Sequence, residues 1–215
     1  MASLLIQLNP NNKYHFEEYR VPSFVFHRTT LMISSIKATL AVAPLALQRN
    51  PDNSPKVNPR AIPSIWARTV LRELCVISTK TCLQRLVLNV CTLQTASHFM
   101  KSLPASAVRK VARYDSKLIG SLKVARAGLA AHLLTHLALF VVEEVIDLYT
   151  YYRSLKENGD DQNAKEKFIN KTDKNLVRLI GSVALGALGS AIGTLIKPDL
   201  GTRIGGLIGD TILYL

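Results

Sequence analysis

Four titratable side chains lie on one face of an apolar segment in the second half of the chain. They are His132, His136, Glu143 and Asp147. A helix turns by about 100° per residue, so these side chains fall within about 60° of one another. Histidines at positions i and i+4 can chelate one metal ion, and ionisable groups inside a membrane can relay protons. The four residues are therefore candidates for metal or proton chemistry, although no HExxH motif or second His/Cys cluster accompanies them.

No other constellation in the sequence indicates catalysis. Serines and histidines occur without a G-x-S-x-G or triad context, and no G-x-G-x-x-G or G-x-x-x-x-G-K-[ST] loop is present. Cys75, Cys82 and Cys91 have neither zinc-site nor CxxC spacing, which predicts buried thiols. We therefore predict that the chain is not an enzyme and carries no cofactor.

Helical periodicity dominates from Ser64 onward. Apolar residues recur at spacings of three and four, and alternating strand patterns with hairpin signals are absent, which predicts an all-α fold. The pattern predicts a helix over 64–101, capped by Ser64 and broken near 78–81, and a second helix over 106–152. Interleaved charges and an Asn-Gly pair then predict a polar loop over 153–175.

The last forty residues predict a membrane-associated helical hairpin over 176–215. Residues 179–196 contain no charge, and at about 1.5 Å per residue they span about 27 Å, close to the hydrocarbon thickness of a bilayer. The Lys-Pro-Asp sequence at 197–199 predicts a turn. The second arm is interrupted by Arg203 and Asp210, so it is expected to dip into the membrane, lie at its surface or pack within an oligomer.

Glycines and other small residues recur every four residues along both predicted arms. They give each helix a flat groove that a partner backbone can approach closely. Each glycine in a helix interior costs about 1 kcal/mol relative to alanine in water, so the pattern makes sense as a packing surface. The predicted helix-packing residues are Gly186, Gly189, Gly193, Gly201, Gly205 and Gly209. The arrangement resembles the glycine-zipper helical hairpins of several unrelated membrane and pore-forming proteins, which implies close helix pairing and self-association.

Charge divides the chain into two parts. Residues 1–126 carry a net charge of +13, whereas residues 127–215 carry −1. Seven of the nine prolines fall within 1–63, together with a basic, hydroxyl-rich composition that is poor in acids. This composition predicts an irregular N-terminal arm, or an organelle transit peptide. We expect an organelle membrane, mitochondrial rather than that of the chloroplast or endoplasmic reticulum.

A basic cluster precedes the apolar segment. Its members are Arg109, Lys110, Arg113, Lys117, Lys123 and Arg126. A basic amphipathic helix fits an anionic lipid surface, at about 1 kcal/mol per cation near the headgroups. Recognition of single-stranded nucleic acid would need aromatic side chains between the cations, and only Tyr114 qualifies. We therefore expect lipid rather than nucleic acid as the partner, with a solvated helix face as the simpler alternative.

Together these patterns predict an organelle membrane protein of structural or assembly type, integral or tightly associated, that self-associates through glycine-zipper helices. A pore or permeability role is a sub-hypothesis. Two alternatives remain: a soluble all-α interaction protein with a glycine-rich core, and a metal- or proton-handling membrane protein. The expected partners are the lipid bilayer and either a second copy of the chain or another membrane protein.

Overall fold

Helices dominate the part of the chain that the computed structural model describes, namely residues 25–47, 61–114, 116–158 and 162–212. These residues form seven helices and contain no strand, so the predicted all-α fold is confirmed for the described part. The helices are α1 (Arg28–Leu47), α2 (Ile62–Val90), α3 (Leu93–Phe99), α4 (Leu103–Arg113), α5 (Lys117–Asn158), α6 (Gln162–Ile196) and α7 (Leu200–Thr211).

Backbone contacts divide the chain into two compact units, with the boundary inside α2. The unit over 20–81 contains α1 and most of α2, joined by a hydrogen bond from the indole Nε1 of Trp66 to Thr39 Oγ1 at 3.1 Å. The other unit contains the last part of α2 and the helices α3–α7. All the candidate functional residues lie in this second unit.

Helix α1 corrects the prediction of an irregular arm over 1–63. Arg28–Leu47 are helical even though Pro44 lies inside the helix. Pro44 lies in the last turn, so the hydrogen bond that it cannot donate, to the Leu40 carbonyl, is one near the end of the helix. Residues 1–24 and 48–60 lie outside the described residues, and the predicted transit peptide falls largely on them.

Helices α2 and α3 replace the single helix predicted over 64–101. The break lies at Thr92, whose backbone is extended and whose hydroxyl accepts from the backbone N–H of Thr95 at 3.4 Å. Ser64 does not cap α2, because the helix begins two residues earlier and Ser64 Oγ donates to the Ala61 carbonyl at 2.8 Å. Hydroxyls inside a helix bond back to the preceding turn in this way, so they do not mark its ends.

The cysteines are more exposed than predicted. Cys75 and Cys82 are exposed, and Cys91 is half-buried. The buried side of α2 includes Gln84, which lies about 160–180° around the helix from Cys75 and Cys82. The two thiols therefore point away from the core.

Helices α5 and α6 extend through the polar loop that was predicted over 153–175. Helix α5 continues to Asn158 and α6 begins at Gln162, which leaves three residues for the connection, outside the described part. Lys, Glu, Arg and Gln are good helix formers, and Arg153 pairs with Glu157 one turn later at 2.7 Å. The interleaved charges therefore stabilise two helix ends instead of forming a loop.

Helices α5, α6 and α7 pack side by side, and α4 packs against α5 and α7. Both α5 and α6 are long and apolar enough to cross a membrane. In their most apolar eighteen-residue windows, only 22% of α5 and 39% of α6 is buried inside the structure. Helix α7 has 12 residues and a length of about 18 Å, which is too short to cross a bilayer.

Burial along α6 is the reverse of the pattern in a water-soluble helix. Ser190 and Thr194 are almost completely buried, at 1% and 0% exposure. Ile192 and Ile196, on the opposite side, are 60% and 79% exposed. Helix α7 repeats the pattern in less regular form, with a buried threonine and several exposed leucines and isoleucines. Small and polar side chains therefore face inward, and large aliphatic side chains face outward.

Candidate functional site

Two histidines of α5 and one aspartate of α7 converge on a point between the helices. Asp210 Oδ1 lies 3.0 Å from His132 Nδ1 and 3.0 Å from His136 Nε2. The other ring nitrogen of His132, Nε2, lies 3.3 Å from the hydroxyl of Ser190 on α6. One potential ligand atom from each of His132, His136 and Asp210 lies within 4.8 Å of the other two. We call these three residues the histidine–aspartate cluster.

The cluster is enclosed on most sides. The side chains of His136 and His132 are 3% and 13% exposed, and that of Asp210 is 23% exposed. The imidazole rings are stacked, with their centroids 6.2 Å apart. The buried Nδ1 of His136 has no hydrogen-bond partner within the described part of the chain. The His136 ring is therefore oriented by Asp210, and the carboxylate forms the most open side of the cluster.

The turn after α6 brings Asp210 to the histidines. Asp199 has a φ of 79° and a ψ of −81°, close to the rare conformation of a classic γ-turn, and it precedes the first turn of α7. This confirms the turn predicted at 197–199, and Arg203 pairs with Asp199 at 3.1 Å at its surface. Asp210 follows eleven residues later, or about 16 Å along α7. The short helix thus delivers a carboxylate to about the middle of the apolar part of α6.

Two glycines leave the space that the cluster occupies. A Cβ atom added to Gly186 would collide with Asp210 Oδ1 and lie 3.0 Å from His132 Nδ1. A Cβ atom added to Gly206 would lie 2.6 Å from Ser190 Oγ and 3.7 Å from His132 Nε2. Gly186 was predicted to pack helix against helix, but its open side faces the side chains of the cluster. Its role is to make room for that cluster.

The other five predicted glycines bring the backbones of α6 and α7 together. A Cβ atom added to Gly189, Gly193, Gly201, Gly205 or Gly209 would collide with a main-chain carbonyl oxygen of the facing helix. Beside them, Thr194 Oγ1 lies 2.8 Å from Thr202 Oγ1 and also donates to the Ser190 carbonyl at 2.7 Å. The close approach therefore combines main-chain contact with a buried pair of hydroxyls.

A second polar cluster lies farther along α5, where α6 begins to pack against it. Asp147 accepts from the ammonium of Lys171 at 2.6 Å and from the Asn175 amide at 3.2 Å. Glu144 accepts from the Thr172 hydroxyl at 2.8 Å and from the same amide at 3.0 Å. We call these five residues the end cluster. Each of its two acids accepts hydrogen bonds from donors on the partner helix.

The four polar residues that the sequence placed on one face of α5 therefore do not form one site. Glu143 and Asp147 lie about 10 Å and 16 Å along the helix axis from His136, beyond the reach of its ring. The histidines are instead joined by Asp210, which the sequence analysis treated only as an interruption of a helix. The available signal was a lone acid in an apolar, glycine-rich segment, because an ionisable group in such a place is a functional candidate by default.

The basic cluster divides into exposed cations and one inward lysine. The exposed members are Arg109, Arg113, Lys117, Lys123 and Arg126. Lys110 is half-buried, and its ammonium donates to the Lys123 carbonyl at 2.6 Å. Burial, followed by repulsion from Lys101, Lys123 and Arg109, lowers the pKa of Lys110 to about 8. Lys110 therefore ties α4 to α5 instead of facing outward as the prediction of a lipid surface required.

A groove between α5 and α6 lies beside two of the exposed cations. Its volume is about 550 Å³, and its walls include Leu129, Ala184 and Leu188. Lys123 and Arg126 also line it. The groove therefore combines aliphatic walls with positive charge, which suits a molecule that has an apolar chain and an anionic head.

No protein-family model, no curated protein and no solved structure matches this chain. The functional interpretation therefore depends on the geometry: two long apolar helices, a glycine-lined contact between α6 and α7, and the histidine–aspartate cluster.

Proposed function

We propose that this chain is an integral membrane protein of structural or assembly type, in which α5 and α6 cross the bilayer. The observation that carries the proposal is the reversed burial of α6, where Ser190 and Thr194 are inside while Ile192 and Ile196 are outside. In water, a continuous row of exposed aliphatic side chains is an aggregation surface. In a bilayer the same row contacts lipid, and the polar side chains bond to one another inside the helix bundle.

The uncharged lengths of α5 and α6 support this proposal. Residues 127–142 of α5 and 179–196 of α6 contain no Asp, Glu, Lys or Arg and extend about 24 Å and 27 Å. The run in α6 is close to the hydrocarbon thickness of about 30 Å, whereas the run in α5 is about 6 Å shorter than that thickness. Tyr149 and Tyr152, each 65% exposed, lie beyond residue 142, where aromatic rings anchor helices at the membrane surface.

The groove between α5 and α6 is the proposed contact with anionic lipid. An acyl chain would lie along Leu129 and Leu188, and the long side chains of Lys123 and Arg126 would extend to the headgroups. The exposed members of the basic cluster would add electrostatic attraction at the same surface.

We further propose that the close contact between α6 and α7 acts as a glycine zipper within one chain. The facing glycines already contact each other's backbones, so self-association through them would require α7 to separate from α6. A second copy would more simply pack against the outer aliphatic faces. The predicted pore role and the predicted mitochondrial location, which depends on the composition of 1–63, stay predictions.

Alkaline carbonate extraction of membranes from cells that express the full chain tests the proposal. We expect the chain in the membrane pellet. A Leu188→Asp/Ile192→Asp variant, which places charges on the outer face, should fail to insert, whereas the matched Leu188→Ile/Ile192→Leu variant should stay in the pellet. A chain that is released by carbonate and remains monodisperse in detergent-free buffer would instead be the soluble interaction protein.

A further inference from the structure

We propose that the histidine–aspartate cluster is a binding site for a divalent transition-metal ion of the zinc class, with Ser190 as its outer hydrogen-bond partner. The ligand atoms are His132 Nδ1, His136 Nε2 and one carboxylate oxygen of Asp210. The inference goes beyond the proposed membrane function and depends only on the packing of α5, α6 and α7.

The donor set is the first argument. Two imidazole nitrogens and one carboxylate oxygen are a ligand set that zinc uses, and histidines one helical turn apart are a common way to present two of the three. Magnesium and calcium prefer sites made entirely of oxygen ligands, so the two nitrogens favour a transition metal.

The distances are the second argument. In a tetrahedral site with bonds of about 2.0–2.1 Å, neighbouring ligand atoms lie about 3.3 Å apart. The two distances from Asp210 Oδ1 to the histidine nitrogens are both 3.0 Å, and all three atoms lie within 4.8 Å of one another. Closing the site around an ion would bring the two histidine nitrogens from a separation of at most 4.8 Å to about 3.3 Å.

The surroundings are the third argument. A metal-bound histidine usually donates its second ring N–H to an oxygen that fixes the orientation of the ring. Ser190 Oγ stands 3.3 Å from His132 Nε2 and can play this part. Gly186 leaves open the space beside Asp210 Oδ1 and His132 Nδ1, which any other residue would fill with a Cβ atom.

Charge balance is the fourth argument. In the end cluster the carboxylate of Asp147 is met by the ammonium of Lys171. The carboxylate of Asp210 is met instead by two imidazole rings, at 3.0 Å each. A divalent cation would supply positive charge to a carboxylate that lies among apolar helices. Three protein ligands also leave a fourth position, on the more open side formed by Asp210, for water or a small ligand.

The test uses the full chain in detergent, purified without a histidine tag and stripped of metal by a chelator. Zn²⁺ alone is titrated by calorimetry, and Co²⁺ alone serves as a spectroscopic probe because tetrahedral cobalt absorbs strongly in the visible range. We expect one Zn²⁺ per chain, an increase in the melting temperature on binding, and a cobalt spectrum typical of mixed nitrogen and oxygen ligands.

Asp210→Asn is the main variant, because its side-chain oxygen can still accept from both histidines while the charge of the ligand is lost. We expect the chain to stay folded and its Zn²⁺ affinity to fall by at least about 100-fold, since even the loss of an outer partner lowers affinity by about 10- to 100-fold. Ser190→Ala should lower affinity by about 10-fold. Asp147→Asn and His98→Ala serve as controls, one from the end cluster and one an exposed histidine, and should bind Zn²⁺ as the wild type does.

Two results would overturn the metal site: a wild-type chain that binds no Zn²⁺ at micromolar concentration, or one that binds it no more tightly than Asp210→Asn does. Either result would leave the cluster as a hydrogen-bonded contact and would leave the membrane proposal intact. Release of the chain by carbonate, with Zn²⁺ binding retained, would instead reject the membrane proposal and keep the metal site.

Discussion

The histidine–aspartate cluster and the end cluster both include residues of α5, but their acids are paired with different groups. In the end cluster, Asp147 is paired with Lys171, whose side chain is 55% exposed and can carry its charge into water. In the histidine–aspartate cluster, Asp210 is paired with two imidazoles, one of which is only 3% exposed. The first arrangement remains satisfied when water enters, whereas the second depends on the groups that surround it.

This difference follows from what α6 and α7 present at each level of α5. Near the end of α5, the facing turns of α6 carry Lys171, Thr172 and Asn175, which supply a charge and several donors. Near the middle, α6 carries glycines and serines, and an acid from the end of α7 faces α5. Polar side chains on one face of a helix therefore have roles set by their depth in the bundle and by the partner helix.

Replacing Gly193 with leucine should give the largest difference between the two clusters, because it should disrupt the histidine–aspartate cluster and leave the end cluster intact. The new side chain would collide with the Gly201 carbonyl, force α7 away from α6 and withdraw Asp210, while the end cluster on α5 and α6 stays in place. We expect a destabilisation of the contact between α6 and α7 of about 3 kcal/mol. A disulfide between Thr194→Cys and Thr202→Cys, in a background without native cysteines, measures whether that contact persists.

The control for this substitution is Ile192→Leu, on the exposed side of the same helix, which should form the disulfide as readily as the parent. Equal disulfide yields in the parent and in the Gly193→Leu variant would mean that the close glycine contact does not hold α7 in place.

Removing each cluster's acid should have unequal effects on stability. Asp210→Ala leaves His136 buried with neither ring nitrogen paired, which we expect to cost about 2–3 kcal/mol of unfolding free energy. Asp147→Ala frees Lys171 into water and leaves Asn175 bonded to Glu144, so about 1 kcal/mol or less should be lost. Denaturant titration in micelles, with a chelator present, measures both values; equal losses would remove the distinction between the two clusters.

The sequence predicted the helices better than it predicted which of them meet. Periodicity and the uncharged run over 179–196 were sufficient for the all-α fold and for two long apolar helices. The angular position of His132 and His136 on α5 was also correct. The partner of these histidines was not predictable from their own helix, because Asp210 reaches them only through the turn at 197–199 and the length of α7.

The errors in the sequence analysis have a common physical cause. Proline and charge were interpreted as signs of irregular structure, yet Pro44 lies in a helix end and the charged residues over 153–175 continue two helices. Lys, Glu, Arg and Gln are good helix formers, and a single proline does not prevent a helix in a segment that otherwise favours one, so neither signal alone marks irregular structure. Gly186 shows the same limit, since spacing alone cannot distinguish a glycine that approaches a backbone from one that makes room for side chains.

Depth in the membrane can be compared directly at the levels of the two clusters. Trp66 is the only tryptophan, so a Trp66→Phe chain can carry a single new probe. We expect bromine-labelled acyl chains to quench a tryptophan at position 188 several-fold more strongly than one at position 152. Position 188 lies beside the histidine–aspartate cluster on the outer face of α6, whereas position 152 lies beyond the end cluster. Equal quenching at both positions would contradict the proposed membrane span.

Lys110 is a base that contacts α5 at the end opposite to the end cluster. Its substitution should have the smallest of the effects predicted here. The pKa of Lys110 is lowered to about 8, first by burial and then by neighbouring cations, against an ordinary value of 10.5. Between these two pKa values the unfolded chain binds more protons than the folded chain, so the free energy of unfolding should rise with pH across this window.

The free energy of unfolding of Lys110→Met should depend less on pH in this window than that of the wild type. Lys117→Met, at an exposed lysine, should keep the wild-type slope. Thermal unfolding in micelles at pH 7.5, 9 and 10.5 measures the difference, and identical slopes for the wild type and Lys110→Met would mean that the Lys110 ammonium keeps its water on folding.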